Sequence, residues 1–226
     1  MRGNVGVGMV AMVVAVLGAA GLGGLHAQQA TAPLGVGQAD RARVLEALGR
    51  GDVAGAEKVM LSLQAQLPAA PPPSEIQGGS VFYEELKSCG LYTQSTRLEC
   101  VIEIKQRNGY NGPVGAFGSV EHVYFCIDWN NNGTFTQLES VGQGSVQMHD
   151  EASNARPPWF YAVYRDFDPF GGFRTSNGGA TAATVTNAPT LRVQATLSWF
   201  TAPTGCNFHP VWGNTIVFPV RLDPIR

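Results

Sequence analysis

The amino-acid sequence predicts a mainly β protein, an antiparallel β-sandwich of about seven strands preceded by a short α-helical hairpin. After residue 80, several segments alternate apolar and polar residues with a period of two. One earlier segment has apolar residues at three- and four-residue steps instead, and a Pro/Gly-rich stretch separates the two patterns. The predicted organisation is therefore a signal peptide (1–27), a disordered start (28–38), a helical hairpin (39–68), a Pro/Gly linker (69–79) and a β-sandwich domain (80–226).

The N-terminal segment has the pattern of a secretory signal peptide. Arg2 precedes an uncharged run rich in small residues, and this run ends shortly before Ala27. Cleavage after Ala27 is expected, because cleavage after Ala32 would leave Pro33 as the first residue. An uncleaved membrane anchor is the alternative, since the run is long enough to span a bilayer. The sequence thus predicts a secreted, periplasmic or cell-surface protein, with membrane attachment only if the signal is uncleaved.

The charge balance argues against one class of partner. The chain has 15 Lys and Arg against 17 Asp and Glu, a formal net charge of −2, and it contains no large basic block. A nucleic-acid partner is therefore not expected. We expect a protein or a glycan partner instead.

The helical segment reads as two short amphipathic helices joined by a glycine-containing turn. Val44, Leu45 and Leu48 form the apolar stripe of the first helix, and Asp52 is the predicted N-cap of the second. We expect this hairpin to pack on the rest of the chain or on another copy of it, because it cannot cover its own apolar face. The apolar residues of the second helix are Val53, Ala56, Met60, Leu63 and Leu67.

Strand character recurs along the rest of the chain. The clearest alternation lies in LRVQATLSW, in which every second residue from Leu191 to Trp199 is apolar. Pro219 places the last strand at the edge of a sheet, because proline has no N–H to donate. The longest predicted loop spans residues 170–190. The seven predicted strands lie in residues 82–89, 98–105, 121–129, 145–150, 159–167, 191–199 and 215–222.

An even number of cysteines in an exported protein predicts disulfides rather than free thiols. No C-x-x-C pair is present, so a zinc site is not predicted. Four cysteines allow three pairings. A hairpin turn centred on Gln94 and Ser95 would place the first two cysteines directly opposite each other, and the other two would then pair by elimination. The predicted pairs are Cys89 with Cys100 and Cys126 with Cys206.

Residues 128–139, DWNNNGTFTQLE, have the spacing of a calcium-binding EF-hand loop. A calcium ion needs several oxygen ligands that converge on one point. Because only two of the candidate ligands are charged, we expect weak binding, with a dissociation constant of roughly 10⁻⁴–10⁻³ M. The candidate ligands are the side chains of Asp128, Asn130 and Asn132, the backbone carbonyl of Thr134 and the carboxylate of Glu139.

The same loop also has the pattern of a metal-free turn. Asn132 followed by Gly133, between two alternating segments, is a strong hairpin-turn signal. The stretch IDWNNNGTFTQLES resembles the hairpin of the GEVED-type bacterial surface domain, which has the pattern Ile-Asp-x-Asn-x-Asp-Gly-x-Phe. Asn132 replaces the acidic residue of that pattern. The sequence therefore leaves a plain turn and a bound calcium ion as alternatives.

A longer resemblance covers residues 83–222. The segments YEELKSCGLYTQ, GYNGPVGAFGSVEHVYFCIDW, LSWF and VWGN match, in order and character, a family of secreted bacterial proteins. The resemblance implies a single β-sandwich domain that begins near residue 80. The family has no assigned activity, so the resemblance implies no particular chemistry.

Few residues suggest catalysis. His149 precedes Asp150, and an acid–base or metal site would also need His122. Consecutive residues of a strand point to opposite faces, so His149 and Asp150 cannot both reach one ion without a bulge. No G-x-S-x-G, H-E-x-x-H or phosphate-binding glycine motif is present. A hydrolase with an unrecognised site is thus an alternative, and a non-enzymatic protein is predicted.

Two tryptophans are candidates for ligand binding at the surface. Trp159 follows two prolines, and Trp212 lies in the turn-like stretch PVWGNT, so we expect both to be exposed and able to stack on a sugar. The overall expectation is an exported binding or structural protein of the cell envelope or extracellular space, with a weak calcium-stabilised loop. A carbohydrate-binding module is the first alternative.

Overall fold

The computed structural model describes residues 37–66, 78–169 and 190–222. The predicted signal peptide lies outside these residues, as do nearly all of the predicted disordered start, most of the linker and almost all of the longest loop. Gly78, near the end of the predicted linker, already belongs to the fold, because it forms a β-bridge with Asn214, and Ser80, the first residue of the predicted β domain, forms one with Trp212.

Two helices form the predicted hairpin. Helix α1 spans Gln38–Gly49 and helix α2 spans Val53–Gln64. Asp52 caps α2 as predicted, since its carboxylate accepts a hydrogen bond of 2.8 Å from the Gly55 backbone N–H. Within the described residues, neither helix has the length and apolar character needed to cross a membrane.

Seven strands follow, one for each predicted segment, and they form two antiparallel sheets. One sheet has three strands in the order β1-β2-β5, and the other has four in the order β4-β3-β6-β7. Pro219 therefore lies on an edge strand, as predicted. The strands are β1 Glu84–Tyr92, β2 Arg97–Ile104, β3 Ser119–Asp128, β4 Ser140–Met148, β5 Trp159–Asp166, β6 Leu191–Trp199 and β7 Thr215–Val220.

Both disulfides form in the predicted pairing. Cys89 on β1 lies opposite Cys100 on β2 in the strand register and is bonded to it. Cys126 on β3 is bonded to Cys206 in the segment after β6. No cysteine is free. These two bonds indicate an oxidising, extracellular-type environment.

One buried hydrophobic cluster contains side chains from both sheets. The period-two pattern predicted its members in β2, β3 and β6 correctly. This cluster includes Leu98, Ile102 and Ile104 of β2, Val123, Phe125 and Ile127 of β3, and Leu191, Val193, Ala195 and Leu197 of β6.

The polar face of β6 is buried as well, which the alternation alone did not predict. β6 is an internal strand of its sheet, and the segment that carries Cys206 covers its second face. Gln194 Nε2 donates a hydrogen bond of 2.6 Å to the Cys206 carbonyl, and the Thr196 and Thr215 hydroxyls lie 3.0 Å apart. Neighbouring segments thus satisfy Gln194 and Thr196, whereas the buried Ser198 hydroxyl on the same face has no hydrogen-bond partner.

The helical hairpin packs on the β-rich part of the same chain. A second buried cluster joins apolar residues of α1 and α2 to Trp199 at the end of β6 and to Val211 and Trp212. The hairpin therefore finds in its own chain the cover that its apolar face requires. The residues that the hairpin contributes to this second cluster are Val44, Ala47, Ala56, Met60 and Leu63.

The two disulfides should differ in their contribution to stability. Removing Cys126–Cys206, which joins residues 80 apart, is expected to cost about 4.5 kcal/mol, and removing Cys89–Cys100, which joins residues 11 apart, about 2.8 kcal/mol. The longer closed loop restricts the unfolded chain more. Urea unfolding of the two double Cys→Ala variants measures both values, and a larger loss for the Cys89/Cys100 variant would contradict the ranking.

Candidate functional site

The loop between β3 and β4 is built around the carboxylate of Asp128. Asp128 is the last residue of β3, and its side chain is fully buried. Its Oδ1 accepts a hydrogen bond of 3.0 Å from the Asn132 N–H, and its Oδ2 accepts one of 2.8 Å from the Gly133 N–H. The chain therefore turns around a buried carboxylate that two backbone amides hold in place.

Side chains at the third and fifth positions of the loop also bond to its backbone. Asn130 Oδ1 accepts a 3.0 Å hydrogen bond from the Asn132 N–H, and Asn132 Oδ1 accepts bonds from Thr134 N at 2.9 Å and Thr134 Oγ1 at 2.6 Å. Gly133 has a φ of +83°, and a Cβ there would lie 3.3 Å from Arg192 Nη1. The turn alternative thus accounts for the backbone of this segment.

Glu139, the twelfth residue of the loop, is buried in a short 3₁₀ turn before β4. Its Oε2 accepts hydrogen bonds from Thr136 N at 2.7 Å and Thr136 Oγ1 at 3.0 Å. Its Oε1 is buried and has no donor within normal hydrogen-bond geometry. Burial raises the pKa of Glu139 and the Asp128 carboxylate raises it further, whereas Thr136 and, more weakly, the Trp129 backbone N–H lower it. The two acidic groups of the loop are therefore close enough to repel each other.

The oxygens of this loop are of the types that a hard cation binds, although most of them accept hydrogen bonds from backbone N–H groups. The loop offers carboxylate, amide and carbonyl oxygens, which calcium prefers, and one carboxylate oxygen of Glu139 has no hydrogen-bond donor. Within residues 37–66, 78–169 and 190–222, no group of three or more His, Cys, Asp or Glu side chains is placed to hold a metal. The loop thus has too few charged ligands for a tight site and the wrong donors for zinc.

A small buried cluster supports this loop from beneath. Phe135 of the loop packs with Tyr124, Cys126 and Cys206, so the second disulfide lies directly under the turn. Arg192 Nη1 donates a 3.1 Å hydrogen bond to the Gly133 carbonyl from the neighbouring strand. The loop is consequently fixed to the four-stranded sheet on both sides.

The two predicted ligand-binding tryptophans are not exposed as a pair. Trp212 is 1% exposed, so the prediction of its exposure is wrong. The helical hairpin covers it, and its ring packs edge-to-face on Trp199 with centroids 5.3 Å apart. Trp159 is half-buried and packs against the large cluster of the two sheets.

Asp150 and His149 have contacts with the backbone of the preceding loop. Asp150 Oδ1 accepts hydrogen bonds from Gly109 N and Tyr110 N, both 2.8 Å, and its Oδ2 accepts one of 3.0 Å from Gly112 N. His149 Nε2 lies 3.3 Å from the Ala116 carbonyl. No hydrogen bond in the described part of the chain joins His122, His149 and Asp150 to one another. Asp150 therefore anchors a loop, and the structure does not assemble these three into one site.

A second arrangement, which the sequence analysis did not predict, lies where the hairpin meets the sheets. Arg41 of α1 is fully buried and forms an ion pair with the fully buried Glu84 of β1, with Nη1 2.8 Å from Oε1. Its Nε and Nη2 both donate to the Gly109 carbonyl, at 3.3 and 3.2 Å. The guanidinium group thus uses three of its nitrogens in directed bonds.

Aromatic rings surround the same guanidinium group. Arg41 Cζ lies 3.8 Å from the ring centroid of Tyr83 and 4.0 Å from that of Trp199. The rings of Tyr110 and Trp212 are farther away, at 5.4 and 5.6 Å. All four distances lie within the range of cation–π attraction. We call this arrangement of Glu84, Glu121, Gly109 and the four rings the guanidinium cage.

Glu121 of β3 adds a second acidic group to the cage. It is fully buried, and neither carboxyl oxygen has a hydrogen-bond partner. Burial raises its pKa well above the ordinary value and the Glu84 carboxylate raises it further, whereas Arg41 lowers it. Burial also raises the pKa of Glu84, and there too Arg41 acts in the opposite direction. Arg41 therefore pairs with one buried carboxyl group, and a second one lies within its electrostatic influence.

The sequence does carry a signal for these residues. Arg41 lies three residues before Val44 and seven before Leu48, so it falls on the apolar stripe of α1. Glu121 is in phase with Val123 and the rest of the apolar face of β3. A charged residue at an apolar position of the pattern is the observation that indicates a buried ionic site.

Comparison with protein-family models, with curated proteins and with solved structures finds no match for the chain. The resemblances of the sequence to a bacterial family and to a surface-domain hairpin therefore stay predictions. We therefore infer function from the geometry of the loop and of the cage.

Glu121 should make stability depend on pH. Because its pKa and that of Glu84 are raised, the folded chain binds more protons than the unfolded chain above the ordinary pKa of glutamate. Stability is then greatest in acid and falls as the pH rises toward the raised values. Glu121→Gln removes one titration, so we expect the variant to gain at least about 1 kcal/mol over wild type at alkaline pH.

Urea unfolding at several pH values measures this difference. Glu99→Gln is the matched control, since Glu99 is an exposed glutamate on strand β2. A pH dependence in Glu121→Gln equal to that of wild type would show that Glu121 titrates near its ordinary pKa.

Proposed function

We propose that this protein acts outside the cytoplasm as a non-enzymatic binding or structural protein, and that its 128–139 loop takes up a calcium ion. The two disulfides support a location in an oxidising environment. We also propose that the two sheets stack as a β-sandwich. One hydrophobic cluster to which both sheets contribute supports that arrangement.

The observation that carries the calcium proposal is the buried oxygen of Glu139. A buried carboxylate oxygen without a donor is costly, and the nearby Asp128 carboxylate adds repulsion. A cation between the two groups would remove both costs. A metal-free turn accounts for the amide bonds to Asp128, but it leaves Oε1 of Glu139 without a well-formed hydrogen bond, since the Trp129 backbone N–H affects this carboxyl group only weakly.

The candidate residues of the loop would supply two kinds of ligand to the ion. Asp128 and Glu139 would supply the negative charge, and Asn130, Asn132 and the Thr134 carbonyl would supply neutral oxygens. When bound, calcium would neutralise two buried carboxylates and fix the connection between β3 and β4. The role of the ion is therefore structural, and it would stiffen one end of the four-stranded sheet.

One of the two tryptophans on which the glycan alternative depends is buried. Trp212 is covered by the hairpin, so a sugar platform would rest on Trp159 alone. A protein partner remains compatible with exposed apolar side chains such as Val114 and Phe117, which lie in the loop that Asp150 anchors. We therefore favour a protein over a glycan as the partner.

Calcium should stabilise the folded chain through residues 128–139. With dissociation constants of roughly 10⁻⁴–10⁻³ M, about 10 mM calcium is expected to add about 1.4–2.7 kcal/mol to the free energy of unfolding. Glu139→Gln and Asp128→Asn should abolish this gain, because each removes one of the two charged ligands. Urea unfolding with calcium and with a chelator measures it.

Glu57→Gln provides the control for general ionic effects, because Glu57 is exposed on α2. This variant should keep the whole calcium-dependent gain. Magnesium at the same concentration should stabilise less, since the smaller ion demands stricter octahedral geometry. If wild type and Glu139→Gln respond equally to calcium, the loop is a plain turn.

A further inference from the structure

The geometry points to a guanidinium-binding site in the β-rich part of the protein, of which Arg41 of the helical hairpin is the internal ligand. This site is the guanidinium cage, formed by side chains from both sheets and from the loop after β2. The chemical class that it recognises is the planar guanidinium group, as in an arginine side chain. This inference does not depend on the calcium proposal, because it concerns different residues.

The hydrogen bonds of the cage match the shape of a guanidinium group. Glu84 Oε1 lies 2.8 Å from one terminal nitrogen, and the Gly109 carbonyl accepts from Nε and from the other terminal nitrogen. These acceptors lie around the edge of one planar group. A lysine ammonium group has a single nitrogen and could not reach them together.

The rings cover the faces that the hydrogen bonds leave open. Tyr83 and Trp199 each approach the guanidinium carbon to about 4 Å. Tyr83 is itself held by the Tyr110 hydroxyl, which donates a 2.9 Å hydrogen bond to the Tyr83 carbonyl. The cage therefore combines acceptors at the edge of the guanidinium group with two π faces close to its central carbon, a combination that suits a delocalised planar cation.

Arg41 neutralises Glu84, its ion-pair partner, and Glu121 is a second fully buried carboxyl group of the cage, with no hydrogen-bond partner at either oxygen. Without Arg41, Glu84 would be buried without its cation in a space lined by aromatic rings. Such a space favours a planar cation and disfavours an apolar molecule of the same shape.

Arg41 enters the cage from a separate element, as a bound ligand would. It lies in the first turn of α1, and the hairpin keeps its position through the cluster that contains Val44, Met60 and Trp212. Replacing Arg41 by alanine removes no member of this cluster, although it removes the guanidinium group that packs on Trp199. The atoms removed by the substitution correspond to ethylguanidinium, which makes that compound the appropriate probe.

Chemical rescue of Arg41→Ala in the full chain tests the site. Ethylguanidinium at about 10 mM is expected to raise the melting temperature of Arg41→Ala by on the order of 3 °C. The same addition should leave wild type unchanged, because its cage is occupied. Adding Glu84→Gln to Arg41→Ala should abolish the rescue.

Two control compounds distinguish the effect of the planar shape of ethylguanidinium from the effect of its charge. Ethylammonium has the charge without the planar group, and ethylurea has a planar group without the charge, so neither should rescue at equal ionic strength. Arg43→Ala is the matched variant, since Arg43 lies on the same helix with a side chain that is 65% exposed. This variant should not respond to ethylguanidinium.

If Arg41→Ala does not fold alone, the readout is the yield of folded protein after dialysis from urea with each compound. A higher yield with ethylguanidinium than with ethylammonium or ethylurea supports the site. No rescue of stability or yield, or equal rescue by ethylammonium, would overturn it.

Discussion

The burial of Arg41 beside Glu84 is the interaction on which the union of the hairpin and the sheets depends. Removing both charges from water costs several kcal/mol for each ion, and their mutual attraction offsets that cost only when the geometry is good and the remaining donors are satisfied. Here three guanidinium nitrogens make directed bonds, and two rings cover the faces. The pair therefore specifies where α1 lies, because any displacement of the helix would leave Glu84 buried without a partner.

Several other carboxyl groups of this small protein are also buried, and the structure gives each a different partner. Asp128 accepts from two backbone amides, and Glu84 is paired with a guanidinium group. Burial raises the pKa of Glu121, whose oxygens have no hydrogen-bond partner, and Glu139 has well-formed hydrogen bonds to only one of its two oxygens. The proposed calcium binding in the loop and the raised pKa of Glu121 in the cage would both result from the cost of a buried negative charge.

Much of the fold could be predicted from the sequence, because it depends on periodicity and on local signals. The alternation in β2, β3 and β6, the N-cap at Asp52 and the opposition of Cys89 and Cys100 are all properties of neighbouring residues. The burial of Trp212 was not predictable in this way. It results from the packing of a hairpin that lies far away in the sequence, and local context gives no information about such a contact.

The guanidinium cage was missed for a related reason. The apolar stripe of α1 was predicted from Val44, Leu45 and Leu48, and no role was predicted for Arg41 although it lies on the same stripe. A charged side chain at an apolar position of the pattern either reaches solvent or is buried beside a partner of opposite charge. Glu84 and Glu121 are in phase with the apolar faces of their own strands. Arg41, Glu84 and Glu121 are thus three charged residues at apolar positions, and each of them indicates that a buried partner of opposite charge is present. Such exceptions carry more functional information than the residues that obey the pattern, because an apolar side chain at these positions would give the same burial without the desolvation cost of a charge.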